Sequence, residues 1–259
     1  MLHPINQNGS KKYSSISYDG YDYSTFWQGR TYEDLADKIA VSRLLSRIPL
    51  PHDRIADIGA SIGRMLPMYE EEWKECILVE PYKHQLDRAM ENTTHPEKIK
   101  CIVGAAEKIP LSDASVDTVL CIRVFHYILN PTIAIQEMQR ILIPGGHLVL
   151  EMPSKLHFKS RIVSFFKGNH AAVVSAIPMN QTKKDFIFVN HNPKTIRAML
   201  NENGFEIITI LSVSNFRSRL LKRIIPAKFI LFLEKALQKP LAAVWFGPSI
   251  YFFARKKWS

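Results

Sequence analysis

The run Arg54-Ile55-Ala56-Asp57-Ile58-Gly59-Ala60-Ser61-Ile62-Gly63-Arg64 constrains this chain more than any other stretch. It predicts a short buried strand, a turn of small residues, and a helix near 62–72. Gly59 can turn sharply without a Cβ clash. Ala60, Ser61 and Gly63 leave room for a ligand against the backbone, where a helix start offers free N–H groups to an anion such as a carboxylate. About 20 residues on, Glu80 closes the apolar run Cys76-Ile77-Leu78-Val79-Glu80, where an acidic side chain can accept both hydroxyls of a ribose. Together the two features predict a nucleoside with an acidic or zwitterionic tail. An ordinary strand, turn and helix with a glycine cap would show the same loop, so the loop by itself leaves both readings open.

The positions that a dinucleotide fingerprint fills with glycine are Gly59, Ser61 and Arg64 here, and the bulk of Arg64 argues against NAD and FAD. No G-x-x-x-x-G-K-[ST] run is present, which argues against a P-loop. The three cysteines, Cys76, Cys101 and Cys121, fall in or near predicted strands without metal-ligand spacing. They are expected to be buried free thiols, with no metal site, in a reducing cytoplasm. The polar start, Met1 to Lys12, has no signal-peptide core, and the uncharged run Pro240 to Ala254 is shorter than the ~20 residues a spanning helix needs. The expectation is a cytoplasmic protein, soluble or peripheral to a membrane. Of the formal net charge of +10, nearly all lies between Arg217 and Lys257, where ten Lys and Arg face one acidic residue, Glu234. A basic region of this kind attracts nucleic acid or anionic lipid, or is simply a solvated helix face.

One domain is expected at 259 residues with 46% hydrophobic content. Residues 1–30 form an N-terminal arm, polar and tyrosine-rich over 1–24, in which Trp27 and Arg30 either fold over the site, Arg30 pairing a ligand carboxylate, or merely pack the arm. A helix at about 31–47 offers Leu35, Ile39, Leu44 and Leu45 to the core. Over 50–153 the pattern alternates strands with helices near 83–92 and 131–142, and a Pro144-Gly145-Gly146 turn precedes the fifth strand, His147 to Met152. This is an α/β reading with a mostly parallel sheet, whose ligands sit at the strands' carboxyl ends. Asp57, Glu80, Ala106, Arg123 and Glu151 all fall on that edge, and Tyr82 is placed to pack against a base beside Glu80. Residues 154–192 lose the alternation and suggest a cap over the cleft, with Phe158, Phe165, Phe166, Phe186 and Phe188 as its aromatic stock. Residues 193–259 complete the sheet with a helix at 193–203, a strand at 205–212 and a last strand at 249–254. The basic, amphipathic segment 216–239 lies between those two strands.

Laid out in this way, the chain resembles the class I S-adenosylmethionine-dependent methyltransferases, in particular the group acting mostly on small molecules that includes the ubiquinone/menaquinone-type enzymes. The resemblance is good over 50–153 and looser over 193–256. It rests on Asp57-Ile58-Gly59-Ala60-Ser61-Ile62-Gly63, Glu80-Pro81, Gly104-Ala105-Ala106-Glu107-Lys108-Ile109-Pro110-Leu111, Val116-Asp117-Thr118-Val119, His126, and Leu142-Ile143-Pro144-Gly145-Gly146-His147-Leu148. It implies a Rossmann-like seven-stranded sheet of order 3-2-1-4-5-7-6, strand 7 antiparallel, with helices on both faces. It also implies S-adenosylmethionine as cofactor and S-adenosylhomocysteine as product. Asp57, Gly59, Ser61 and Gly63 would shape the methionine pocket, Glu80 with Pro81 would hold the ribose, Ala106 and Glu107 would border the adenine, and Ile122 and Arg123 would flank the amino-acid tail or the sulfonium. Two departures stand out: Ser61 replaces a glycine, and Ala105 stands where the family usually has an aspartate for the adenine amino group.

Methyl transfer from a sulfonium is an in-line displacement, so the protein chiefly places the nucleophile and excludes water. A general base is needed only where the acceptor must lose a proton. His126 is the first candidate for that base, or else orients the site. Tyr127, His157, Phe165 and His191 are candidates for contact with a small, partly apolar acceptor. Other readings share these residues: a membrane-associated enzyme on lipid or glycolipid precursors, resting on 216–239; a nucleic-acid methyltransferase gripping phosphates with 217–257; and a module that binds the cofactor without turnover. The Asn/Asp-Pro-Pro-Tyr-type motif of exocyclic-amine methylation is absent, which weakens the nucleic-acid reading.

Overall fold

The computed structural model describes residues 27–128, 130–168, 171, 173, 175, 179–183 and 186–258. Its strands are β1 (Arg54–Ile58), β2 (Glu75–Glu80), β3 (Ile99–Val103), β4 (Val116–Cys121), β5 (Leu142–Pro153), β6 (Met179–Lys183), β7 (Phe186–Asn190), β8 (Phe205–Val213) and β9 (Ser249–Lys256). Seven of them form one sheet in the order β3-β2-β1-β4-β5-β9-β8, while β6 and β7 pair as a separate antiparallel hairpin. β9 runs antiparallel to both of its neighbours, β5 and β8. The pairings of β1, β2, β3, β4 and β5 with one another are parallel. With the hairpin set aside, this is the expected seven-stranded Rossmann-like order, with the last strand reversed.

The sheet is covered on both faces, which is why its central strands read as unbroken apolar runs. Successive side chains alternate between two cores: Ala56, Ile58, Val79, Leu148 and Phe252 enter one, and Ile55, Leu78, Leu120, Val149 and Phe253 enter the other. Helices α3 (Pro131–Ile141) and α5 (Pro193–Glu202) close the first core through Ala134, Ile135, Met138, Ile196 and Leu200. Helix α1 (Thr31–Leu45) closes the second, and α7 (Ala227–Ala242) packs on α1 and β8. Glu234 anchors α7 by accepting the Tyr32 hydroxyl at 2.6 Å and the Ser214 N–H at 2.9 Å. Two shorter helices, α4 (Phe158–Phe166) and α6 (Arg219–Ile224), lie at the periphery, and α2 (Lys83–Asn92) follows β2.

Several expectations are corrected. The buried face of α1 is Ala36, Asp37, Ala40, Val41, Leu44 and Leu45, so Leu35 is exposed and Ile39 is only half-buried. No α-helix follows β1. Ser61 (φ 49°) and Gly63 (φ 74°) adopt left-handed conformations that break a right-handed helix, and a 3-10 turn follows at Leu66–Met68, where Pro67 brings no N–H. The Pro144-Gly145-Gly146 segment lies inside a twelve-residue β5, which shifts register against β4 between Val116 and Thr118. Segment 216–239 is two helices, because Pro226 separates α6 from α7. Cys76 and Cys121 are buried free thiols as expected, but Cys101 is exposed on β3, at one edge of the sheet. The arm before Trp27, Lys184 and Asp185 lie outside the described residues, as do the side chains of Phe186 and Phe188.

Truncating Phe252, fully buried at the middle of β9, to alanine should cost about 3–5 kcal/mol in urea unfolding. Leu35→Ala should change stability by less than about 0.5 kcal/mol, since that side chain is exposed on α1.

Candidate functional site

The carboxyl ends of β1, β2, β4 and β5 bring Asp57, Glu80, Arg123 and Glu151 to one edge of the sheet. The loop after β1 is held by β2. Gly59 N–H donates to the Val79 carbonyl at 2.7 Å, Ala60 N–H to the same oxygen at 3.3 Å, and Ser61 N–H to Glu80 Oε2 at 3.1 Å. These donors are therefore engaged within the protein, which corrects the expectation that a helix start offers them to an anion. Gly59 is required for another reason as well: at φ 75° a Cβ would lie 2.3 Å from Val124 Cγ2, so the residue lets the exits of β1 and β4 approach.

A narrow cleft opens here, with Trp27, Asp57, Ser61, Arg64, Arg123 and Tyr127 among its walls, and Met65, Ile122 and Val124 adding apolar surface. Two of its walls meet directly, the Arg64 guanidinium lying 3.9 Å from the Trp27 ring centroid.

Behind the cleft lies an ionic cluster that the sequence reading missed. Asp37, fully buried on α1, accepts from Arg123 Nε at 3.0 Å and Nη2 at 2.8 Å, from Arg64 Nη2 at 3.2 Å, and from the Tyr251 hydroxyl at 2.8 Å. Arg64 also reaches Asp34 at 2.8 Å. Glu151 accepts the Arg123 N–H at 2.9 Å and the Ser249 hydroxyl. Burial alone would lower the Arg123 pKa, but Asp37 and Glu151 outweigh it and hold the guanidinium charged. The available signal was a lone carboxylate on an otherwise apolar helix face, Ala36-Asp37-Ala40-Val41-Leu44.

Asp57 is buried and accepts the Tyr69 hydroxyl at 2.8 Å. Burial raises its pKa to about 7, with the Tyr69 bond and Arg64 opposing the rise and Glu80 adding to it. On the other side of Glu80, Pro81 and Tyr82 are half-buried at the start of α2. After β3, Ala105 and Lys108 form an isolated bridge that exposes little of Ala106 or Glu107. Glu107 Oε1 is buried with no hydrogen-bond partner among the described residues, and burial raises that carboxyl's pKa.

The histidines divide by role. His126 sits in the 3-10 turn Phe125–Tyr127, where burial, then Arg123 and His191, push its pKa down to about 3. That depression makes the ring a weaker proton acceptor near neutral pH. His191 is buried and its Nε2 lies 3.0 Å from the Phe125 carbonyl. That acceptor requires the proton on Nε2, so the ring supports the turn that carries His126. His157 caps α4, its Nδ1 accepting the Ser160 N–H at 3.2 Å, and burial lowers its pKa to about 4. Tyr127 reaches the cleft, whereas Phe165 is exposed on α4 and is absent from the cleft walls. Arg30 is exposed at the N-terminal boundary of α1 and is not among the cleft walls either.

Comparison with known proteins places this edge in context. Residues 56–150 match a family model described as a methyltransferase domain. An uncharacterized methyltransferase of Mycobacterium bovis is 35% identical over 103 residues, which is 40% of this chain and 41% of that one. A malonyl-[acyl-carrier protein] O-methyltransferase of Marinomonas is 28% identical over 131 residues, 49% of this chain and 48% of its own length. The match thus spans less than half of these curated relatives. Among solved structures, a SAM-dependent methyltransferase of Thermotoga maritima superposes with a TM-score of 0.58 at 18% identity, covering 91% of this chain and 94% of that one.

These likenesses imply S-adenosylmethionine as cofactor, and the residues present fit it at two places. Glu80 puts a buried carboxylate beside the β1 loop, where ribose hydroxyls would need an acceptor. Glu107 keeps a buried acceptor atom without a partner where a purine amine could donate.

Removing Asp37 as Asp37→Ala should cost about 3–5 kcal/mol in chemical denaturation, since Arg123 and the Tyr251 hydroxyl would stay buried without their partner. The depressed pKa of His126 contributes stability that is fully present above about pH 6.5 and is lost as pH falls toward about 3. The melting temperature of His126→Asn should accordingly fall less steeply than that of the wild type over that window.

Proposed function

We propose that this chain is a class I methyltransferase, a reading supported by the domain matched at residues 56–150 and by its fold, and that it transfers the methyl group of S-adenosylmethionine to a small, partly apolar metabolite. The observation that carries the reading is Glu80, a fully buried carboxylate at the end of β2 that braces the loop after β1.

When bound, the cofactor supplies a methyl group already activated by a sulfonium, so the protein's tasks are placement and exclusion of water. Glu80 would accept the ribose hydroxyls, and Ala106 with Glu107 would border the adenine. Glu107 would also supply the acceptor that Ala105 lacks. Asp57, Ser61 and Arg123 would surround the amino-acid tail, with Arg123 already fixed by Asp37 and Glu151. Trp27 would close over the occupied cleft and shield it from solvent. Tyr127 would orient an acceptor, and neutral His126 would help to shape the site without taking a proton. The apolar walls Met65, Ile122 and Val124 favour an acceptor with a hydrocarbon portion.

Titration calorimetry with S-adenosylhomocysteine should give saturable heat, and Glu80→Gln should weaken binding about 10–100-fold, the range for loss of a hydrogen bond to a charged group. An absence of heat with a folded wild-type chain would remove the cofactor assignment. A labelled-methyl screen of metabolite extracts, with malonyl-[acyl-carrier protein] included because of the Marinomonas relative, then tests turnover. Tight cofactor binding with no acceptor methylated would favour a binding module instead.

A further inference from the structure

We infer that α6, α7 and the adjoining α4 form a docking face for an anionic lipid bilayer. On α6 and α7, large apolar side chains point into solvent: Leu220 is 65% exposed, Ile224 70%, Phe229 52% and Phe232 64%. Phe229 and Phe232 are one turn apart and stack with ring centroids 6.3 Å apart. On α7 the opposite side, Ile230, Glu234, Gln238 and Ala242, is the buried one. The outward side of α7 therefore carries an aromatic pair flanked by exposed Lys228, Lys235 and Lys239, with Arg223 just ahead of it. Glu234 is the one acidic residue in the sequences of the three helices, and it is buried. So these three helices present apolar and positive side chains to solvent and no acidic one of their own, although Glu33 of α1 pairs with Lys222.

Helix α4 joins the same region. Its first residue, Phe158, stacks on Phe246 at 5.0 Å, and Arg161 Nη2 donates to the Val244 carbonyl at 2.9 Å, just past the end of α7. At its far end Phe165 and Phe166 are 72% and 83% exposed, between exposed Lys159 and Lys167. Basic residues alone would suit nucleic acid, where apolar side chains of this size find no partner along a phosphate backbone. Aromatic and branched aliphatic residues interleaved with lysines suit a bilayer interface, where the rings enter the acyl boundary and the ammonium groups meet lipid phosphates. No helix among the described residues is long and apolar enough to cross a membrane, so contact through these helices is peripheral.

One end of the face is tied to the start of α1, where Lys222 of α6 pairs with Glu33 at 2.9 Å and lies 4.7 Å from the Tyr32 ring.

The test is co-sedimentation of the full chain with phosphatidylcholine vesicles, with and without phosphatidylglycerol. Binding to the anionic vesicles should exceed binding to the neutral ones by about 10-fold or more and weaken as salt is raised. The double variant Phe229→Ser/Phe232→Ser keeps every charge and should lose about 10-fold of that binding, with an unchanged melting temperature because both rings are exposed. Lys228→Glu/Lys235→Glu should remove the preference for anionic lipid. Equal retention of wild type and the serine variant would overturn the proposal. So would tighter binding to duplex DNA that the serine variant keeps, or a dimer, seen in sedimentation velocity without vesicles, that the serine variant abolishes. Because vesicle binding is read without cofactor or turnover, its failure leaves the methyltransferase reading untouched.

Discussion

The carboxylate of Asp37 holds this molecule's functional edge together. It sits on α1, yet its partners come from the loop after β1 (Arg64), the end of β4 (Arg123) and the middle of β9 (Tyr251). A buried charge is tolerated only where it is paired and hydrogen-bonded, and here two guanidinium groups and a phenol meet that demand. One consequence is backbone geometry. Arg123 adopts φ 63°, a conformation most side chains avoid, and the bonds to Asp37 and Glu151 are what fix it there. A second consequence is that the guanidinium lining the cleft is already oriented, so little side-chain freedom remains to be lost when a ligand arrives.

Much of the architecture was legible in the chain because burial on both faces writes a simple pattern. Runs such as Cys76 to Val79 and Val119 to Ile122 have no polar alternation, and only a covered parallel sheet accommodates several of them in succession. The apolar runs at the C-terminal end marked two further strands, while the reversal of the last one was implied by the family resemblance. What escaped the reading depended on tertiary geometry. An α-helix after β1 was the natural expectation from Ile62, Met65 and Leu66, but the left-handed Ser61 and Gly63 turn the chain so that Met65, Leu66 and Tyr69 pack into the core by way of turns. On α1 the expected Leu44 and Leu45 are buried, but Ala36, Asp37, Ala40 and Val41 take the places expected for Leu35 and Ile39.

The site was legible in its acidic positions and less so in its basic ones. Glu80 and Asp57 announce themselves by ending apolar strands, which is an unusual place for charge. Arg64 looked like an obstacle to a dinucleotide; in the fold it is a strut that reaches Asp34 and Asp37 and supports Trp27 through its ring. His126 looked like a base because imidazoles titrate near neutrality; in the fold, burial and then Arg123 lower its pKa. Sequence position identified the residue's place and could not report its solvation.

In this account a sulfonium nucleoside lies across the exits of neighbouring strands, with Trp27 closing over it. The most direct measurement is a crystal structure of the complex with S-adenosylhomocysteine. The account predicts the Glu80 carboxylate within hydrogen-bond distance of both ribose hydroxyls. A complex in which Glu80 remains enclosed, with the nucleoside bound elsewhere on the chain, would contradict it.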